Sequence, residues 1–368
     1  MKAVAVTPGV ANSVHLVEMP DPNIADVPKE RGVKVKTLRV GGCGTDREIN
    51  HAEYGTAPEG SDFLVLGHEN LGQVIEIGAN VTEVAVGDIV VSTVRRPGKS
   101  LYDTIGEQDM TTDTEYFERG ISRLHGYFAE MYVENADYMV RLPPTLKEVG
   151  VLLEPLSIVE KGLQQAYEIQ ERARIWNPKR AAVIGTGSVG LLTVMAMRMR
   201  NLEVHAFGKD APAGYYNAEL CTEIGATYDS TTETSVADAA KKYGAFDIVL
   251  ECTGYSPIIW DAALGLAKNG VLILTSVTGG DRQAEIPSDK INIEFVLGNK
   301  LMFGSVNAGR EHFALGVKDL ALCEAMHAGW LNKLLTHPIN GIENFGQMFE
   351  LLNNGAPKMV KTFCQISQ

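Results

Sequence analysis

The segment KRAAVIGTGSVGLL, residues 179–192, constrains the fold more than any other. A short apolar run ends at Ile184, the loop Gly185-Thr186-Gly187-Ser188-Val189-Gly190 follows, and a helical apolar pattern begins. Three glycines at this spacing are a weak signal alone. Between a strand and a helix, inside a βαβ unit, they read as a loop that receives a dinucleotide. Gly185 permits the tight turn, Gly187 lets the backbone approach a pyrophosphate, and Gly190 lets the helix close on the strand. The free N–H groups at the helix start then face the phosphates. The same alternation continues downstream. Candidate strands at 180–184, 202–207, 246–251, 270–275 and 300–305 are separated by helical segments such as VGLLTVMAMRMR and YYNAELCTEIGA. Alternating β and α elements imply a parallel sheet with helices on both faces.

The end of the second strand carries the coenzyme choice. An acidic residue there, about 20 residues after the first glycine, binds the ribose hydroxyls of NAD. This chain has Gly208 followed by Lys209. A missing carboxylate beside an ammonium suits a 2′-phosphate, so NADP is the preferred coenzyme and NAD a possible one. Asp210 argues the other way, because a shifted turn would bring it to the ribose. On this reading Gly208→Asp should reverse the preference.

Up to about residue 150 the pattern is β-rich, with VKVKTLRVGG, LGQVIEIG and DIVVSTV as short runs bounded by turn formers. Residues 95–123 form a long polar stretch, and a loop of that length is usually functional. Residues 146–172 turn helical, and the tail MVKTFCQI is strand-like. The net charge of −13 over 368 residues disfavours nucleic acid and anionic membranes as partners. The five cysteines are odd in number and include no CxxC pair, so disulfides are not expected and a reducing cytoplasm is. No cleavable leader and no transmembrane run is expected from the apolar pattern.

The stretch GGCGTDRE places Cys43 on a crowded polar turn, where a purely structural cysteine is out of place. FLVLGHEN supplies His68 and Glu69, and VLLEPLS supplies Glu154. Thiolate, imidazole and carboxylate are zinc donors, and three protein ligands leave a position open for chemistry. Taken singly, His68 reads as an ordinary hydrogen-bonded histidine and Glu154 as a helix N-terminal carboxylate.

In their order and spacing, CGTD, GHE, EPLS and GTGSVG resemble the zinc-dependent medium-chain alcohol dehydrogenases over essentially the whole chain. CGTDREI, FLVLGHE, RRPG, FERGI, LLEPLSIVEKG and GSVN are similar to segments of the archaeal-type glucose (aldose 1-) dehydrogenases. The resemblance implies an α/β chain in two domains. A GroES-like β-rich catalytic domain would comprise 1–177 with 308–368, and a Rossmann doubly wound parallel-sheet domain 178–307. It implies one catalytic zinc on Cys43 and His68. Glu154 would be the third ligand, directly or through water, and Glu69 an alternating ligand or a carboxylate behind the metal. Thr45 would hydrogen-bond the reacting oxygen and relay its proton. Glu118 and Asn307, with Thr45 and Glu154, would bind the sugar. Gly185, Thr186, Gly187, Ser188, Val189, Gly190, Gly208, Lys209, Thr253 and Asn307 would hold the coenzyme. The chain departs from many such relatives in one respect. Its 95–123 lobe has no cysteine, which excludes a second, Cys₄ zinc. Asp103, Glu107, Asp109, Asp113 and Glu115 crowd that lobe; they could bind a hard cation, but a charge run reads first as a solvated face.

The implied reaction is hydride transfer from C1 of D-glucose or a related aldose to NADP, giving the aldonolactone. Within the superfamily the alternatives are a polyol, threonine or simple alcohol dehydrogenase. From another class, the alternative is a non-catalytic NADP-binding redox sensor. A homodimer or homotetramer is expected through the apolar edge strand at 300–305.

Overall fold

The computed structural model describes residues 1–367. The chain divides into two compact units, Met1–Ser157 with Asn307–Ala321 and Leu331–Gln368, and Ile158–Val306 with Leu322–Trp330. The first crossing falls inside the helix Leu153–Gln170, earlier than position 177. The reason is packing: a Cβ on Gly162 would stand 3.1 Å from Ile273, so this helix rests on the parallel sheet well before its end.

The first unit is built on a seven-stranded sheet. Its main path runs Met139–Leu142, Ile89–Ser92, Glu69–Ile77, Gly32–Gly42, Thr362–Gln365, His337–Asn340, and Met131–Asn135 also pairs with Gly32–Gly42. Strand Gly32–Gly42 organises it. Its antiparallel register opposes Gly41 to Glu69 on one side and Gly42 to Thr362 on the other. The end of one strand and the starts of two others therefore meet at one place, although they are distant in sequence. Val33, Val35, Val74, Val90 and Tyr132 fill one core cluster, and Val4, Val40, Leu66, Phe128 and Met348 another. Within residues 95–123, where sequence shows only a polar stretch, Arg95–Arg96 pairs antiparallel with Phe117–Arg119, and Arg95 opposes Glu118.

The second unit holds a six-stranded, all-parallel sheet in the order Thr227–Ser230, Glu203–Gly208, Arg180–Ile184, Phe246–Glu251, Leu266–Leu274, Leu301–Gly304. Numbered along the chain, this is 3-2-1-4-5-6, the doubly wound order that places a dinucleotide site where the winding reverses. Ala182, Ile184, Phe207, Phe246, Val249 and Leu272 are fully buried in its core. The edge strand Thr227–Ser230 has no apolar run and gives no periodic signal in sequence. Among the described residues no helix is long and apolar enough to cross a membrane.

Candidate active site

Cys43 stands at the end of strand Gly32–Gly42, as the N-cap of helix Gly44–Asn50. Its backbone N–H donates to Asp46 Oδ2 at 3.0 Å, which fixes the turn. Its Sγ lies 3.1 Å from His68 Nε2. The other ring nitrogen of His68 faces Asp46 Oδ1 at 3.7 Å. A carboxylate on the far side of a ligating imidazole is the usual device for orienting the ring. Glu69 pairs with the buried ammonium of Lys361, brought there by the register of the last strand. Gly41 is required at this point, since a Cβ would collide with the Glu69 carboxylate.

Donor atoms of Cys43, His68 and Glu69 all lie within 4.8 Å of one another. Glu154 is buried nearby on the first turn of its helix and is not part of that set. Burial disfavours a charged His68 ring, but Cys43, Asp46 and Glu154 outweigh it and hold the ring well above its ordinary pKa. Burial also raises the Asp46 carboxyl, and it pushes Glu154 up to about 7. So much negative charge around one ring marks a place that stabilises a cation. One soft thiolate, one oriented imidazole and a carboxylate fit zinc. Thr45 is half-buried on the first turn of the adjoining helix.

Glu118 and Asn307 come together in the first unit. Glu118 Oε1 accepts from Arg95 Nε at 3.1 Å and Nη2 at 2.8 Å, and from Asn307 Nδ2. Asn307 takes φ = 60°, a left-handed conformation that asparagine tolerates. The Arg95 guanidinium lies 4.6 Å over the Tyr116 ring, and the Tyr116 and Tyr54 hydroxyls are 2.8 Å apart. The turn after Glu118 packs on the residue before His68: a Cβ on Gly120 would stand 2.8 Å from the Gly67 carbonyl carbon. The two groups of residues thus share one backbone junction.

The acidic residues of the lobe serve mainly its own turns. Asp103 accepts from the Ser100 and Thr111 hydroxyls; burial opposes its charge, but these bonds hold its carboxyl down at about 2. Asp113 accepts from the Lys99 N–H, and Glu115 pairs with Arg123. Asp109, Glu311 and His312 form a second grouping of possible ligands, but His312 Nδ1 accepts the Gly309 N–H at 2.9 Å. That bond leaves the ring proton on Nε2, which makes the imidazole a donor there and not a ligand.

In the second unit, Gly185 has φ = +98°, and a Cβ on Gly190 would overlap the Gly185 carbonyl. Both glycines are demanded by the protein itself. Gly187 differs: a Cβ there meets nothing within 4 Å, at the N-cap of helix Ser188–Met199. Glycine at that point keeps open the approach to the helix N-terminus, which fits a pyrophosphate. Thr186 is held through its carbonyl by Asn217 Nδ2 at 2.6 Å. Ser188 and Val189 open the helix. Thr253 donates its N–H and its hydroxyl to Glu251. Gly208 is buried at the strand end, and Lys209 and Asp210 are exposed. Asn307 lies in the first unit.

Three supporting residues were missed in the sequence. Asp46 had a signal, as a carboxylate three positions after an N-cap. Lys361 and Arg95 had none, because strand pairing across the chain places them.

Comparison with known proteins follows the same outline. Residues 29–144 match the family described as Alcohol dehydrogenase GroES-like domain, and residues 147–366 match Glucose dehydrogenase C-terminus. The chain is 40% identical over 347 residues to glucose 1-dehydrogenase of Methanocella arvoryzae, covering 94% of each protein. It is 39% identical over 337 residues to glucose 1-dehydrogenase of Thermoproteus tenax, covering 91% of this chain and 92% of that protein. A solved structure of Haloferax mediterranei glucose dehydrogenase, in complex with NADP, Zn and gluconolactone, superposes with a TM-score of 0.88 at 35% identity over all of both chains.

Proposed function

The chain belongs to the glucose dehydrogenase family within the zinc-type medium-chain alcohol dehydrogenases, and from that premise we propose that it oxidises D-glucose or a related aldose at C1, with NADP as the preferred hydride acceptor. The observation that carries the reading is the convergence of Cys43, His68 and Glu69 within 4.8 Å. A redox sensor has no use for an open metal site of this kind. When bound, zinc supplies Lewis-acid polarisation of the sugar oxygen and NADP supplies the hydride acceptor.

The chain's own residues do the rest. Asp46 orients the His68 ring and ties the Cys43 backbone. Lys361 compensates the buried Glu69 charge through their ion pair. Thr45 hydrogen-bonds the reacting hydroxyl and passes on its proton. Glu154, buried beside this group, would complete the metal's ligands directly or through a water. Glu118 and Asn307 bind sugar hydroxyls, and Arg95 holds the Glu118 carboxylate at a fixed angle. Gly185–Gly190 receives the pyrophosphate, and Lys209 the 2′-phosphate.

We also propose a homodimer or homotetramer. Support comes from the open edge of strand Leu301–Gly304 and from Ile293, Val296 and Leu297, which helix Ser288–Gly298 exposes. The five free cysteines fit a reducing compartment such as the cytoplasm. The deciding experiment is metal content together with turnover of aldoses, polyols, threonine and simple alcohols with both coenzymes. About one zinc per chain and the highest kcat/KM on an aldose are expected. A polyol or threonine turned over faster than any aldose overturns the substrate assignment, and no turnover with any of them overturns the enzyme reading.

A further inference from the structure

The end of strand Glu203–Gly208 is closed by a residue from the neighbouring edge strand. Ala206 and Gly208 pair with Tyr228 and Ser230. The Tyr228 side chain reaches along the strand and lies over Gly208. A Cβ on Gly208 would overlap the Tyr228 hydroxyl and stand 2.9 Å from Cε2 and Cζ of the ring. The glycine is therefore not merely a place where a carboxylate happens to be absent. An aromatic ring fills the space into which any side chain there would have to grow.

The turn that follows is pinned at three successive carbonyls. Gly208 O accepts from the Thr231 N–H at 2.8 Å and the Thr231 hydroxyl at 3.2 Å. Lys209 O accepts from the Ser230 hydroxyl at 3.0 Å. Asp210 O accepts from the Tyr228 hydroxyl at 2.8 Å. A turn held in this way does not slide, so Asp210 does not take over the role of the missing acid. Tyr228 also tilts against Tyr215, with ring centroids 5.6 Å apart. The Tyr215 hydroxyl lies 3.4 Å from Thr186 Oγ1 in the glycine loop. The strand end and the pyrophosphate loop are thereby braced by one aromatic pair.

We propose that Tyr228 is a coenzyme-specificity residue. Its ring stands where a ribose-binding carboxylate would have to be, and its hydroxyl pins the turn that presents Lys209. The proposal rests on the reading that this loop holds NADP. It changes the expectation for Gly208→Asp. The single substitution introduces a charge that repels the 2′-phosphate, but its side chain has to displace Tyr228 and with it the turn. It abolishes one preference without installing the other.

The test is the dissociation constant of NADP and of NAD, by calorimetry or fluorescence titration, for the wild type, Gly208→Asp, Tyr228→Phe, and Gly208→Asp with Tyr228→Ala. Gly208→Asp is expected to bind NADP at least tenfold more weakly than the wild type and NAD no more tightly. The double variant is expected to bind NAD at least tenfold more tightly than Gly208→Asp. Tyr228→Phe, which keeps the ring and loses the pin, is expected to weaken NADP about three- to tenfold, as for loss of one neutral hydrogen bond. If Gly208→Asp alone binds NAD as tightly as the double variant, Tyr228 is not the obstacle and the proposal falls. If Tyr228→Ala does not fold, Gly208→Asp with Tyr228→Val carries the same comparison, because valine suits a strand and removes the ring from above Gly208. A wild type that binds NAD as tightly as NADP overturns the coenzyme reading. The Tyr228 claim is judged separately, on the NAD affinity of double against single variant.

Discussion

Glu134 is the keystone of the lobe that carries Glu118, and its charge makes that role measurable. Its Oε2 accepts from Arg96 Nη2 at 2.6 Å and Nε at 3.2 Å, and from Arg119 Nε at 2.8 Å. Arg96 belongs to one strand of the lobe and Arg119 to the strand paired with it, next to Glu118. Burial works against the carboxylate, but the two guanidiniums and the Asn135 N–H outweigh it and lower its pKa from 4.5 to about 2. A shift of this size corresponds to about 3 kcal/mol of stability at neutral pH. Because the folded value is the depressed one, that stability is fully present well above pH 4.5 and is lost as the pH falls towards 2. About 1.5 kcal/mol of it is gone by pH 3.5.

Glu134→Gln keeps the shape and removes the charge, leaving the buried Arg96 uncompensated. The expected cost at pH 7 is about 3 to 5 kcal/mol. Urea unfolding of both proteins at pH 7, 5, 4 and 3.5 separates this carboxylate from all others, which titrate alike in the two proteins and cancel. The difference in stability should shrink by about 1.5 kcal/mol between pH 7 and pH 3.5. A penalty that stays constant over that range refutes the reasoning, since it would mean that Glu134 carries no depressed charge. The same variant should raise the sugar KM while leaving the NADP dissociation constant unchanged, because both strands it ties hold the Arg95–Glu118 pair.

Cys43→Ser should lower bound zinc from about one equivalent to a small fraction after dialysis while the thermal transition persists; loss of that transition would make the metal structural. Arg95→Met should leave Glu118 Oε1 without the two N–H groups that Arg95 donates to it and lower kcat/KM for the sugar about ten- to a hundredfold, the range for a charge-assisted hydrogen bond, with NADP binding unchanged. Measured titrations of both ligands check it, and an equal loss for NADP would place Arg95 elsewhere in the mechanism. Val296→Lys with Leu297→Glu, both on the exposed face of helix Ser288–Gly298, should give a smaller assembly by light scattering with an unchanged circular dichroism spectrum. An assembly of unaltered mass would exclude this face from the interface.

The parallel sheet was readable because each of its long strands is a buried apolar run, so periodicity and burial say the same thing. Strands expected at 180–184 and 246–251 occur at Arg180–Ile184 and Phe246–Glu251. The strand Thr227–Ser230 was not readable. An edge strand buries little, TYDS has no apolar alternation, and only its pairing with Glu203–Gly208 makes it a strand. The lobe at 95–123 was hidden for a related reason. Its charged residues look solvated one by one, yet Arg95, Arg96, Asp103 and Glu118 are buried because each finds its partner inside the fold.

The candidate metal donors were legible as residue types and illegible as a constellation. Cys43, His68 and Glu69 announce themselves by chemistry, but their meeting depends on Gly41 lying opposite Glu69, a register no local pattern reveals. Lys361 shows how far this goes. Read locally it is an ordinary surface lysine in a C-terminal strand. The antiparallel pairing of Thr362 with Gly42 carries it under Glu69, where burial alone would strip its charge and the carboxylate keeps it. A buried cation in that position offsets the cost of a buried anion beside the proposed metal ligands. Lys361→Met should therefore damage zinc affinity more than its distance in sequence from Cys43 suggests. Competition with a chelator measures this directly, and an unchanged affinity would mean that the Glu69 charge is compensated by the metal alone.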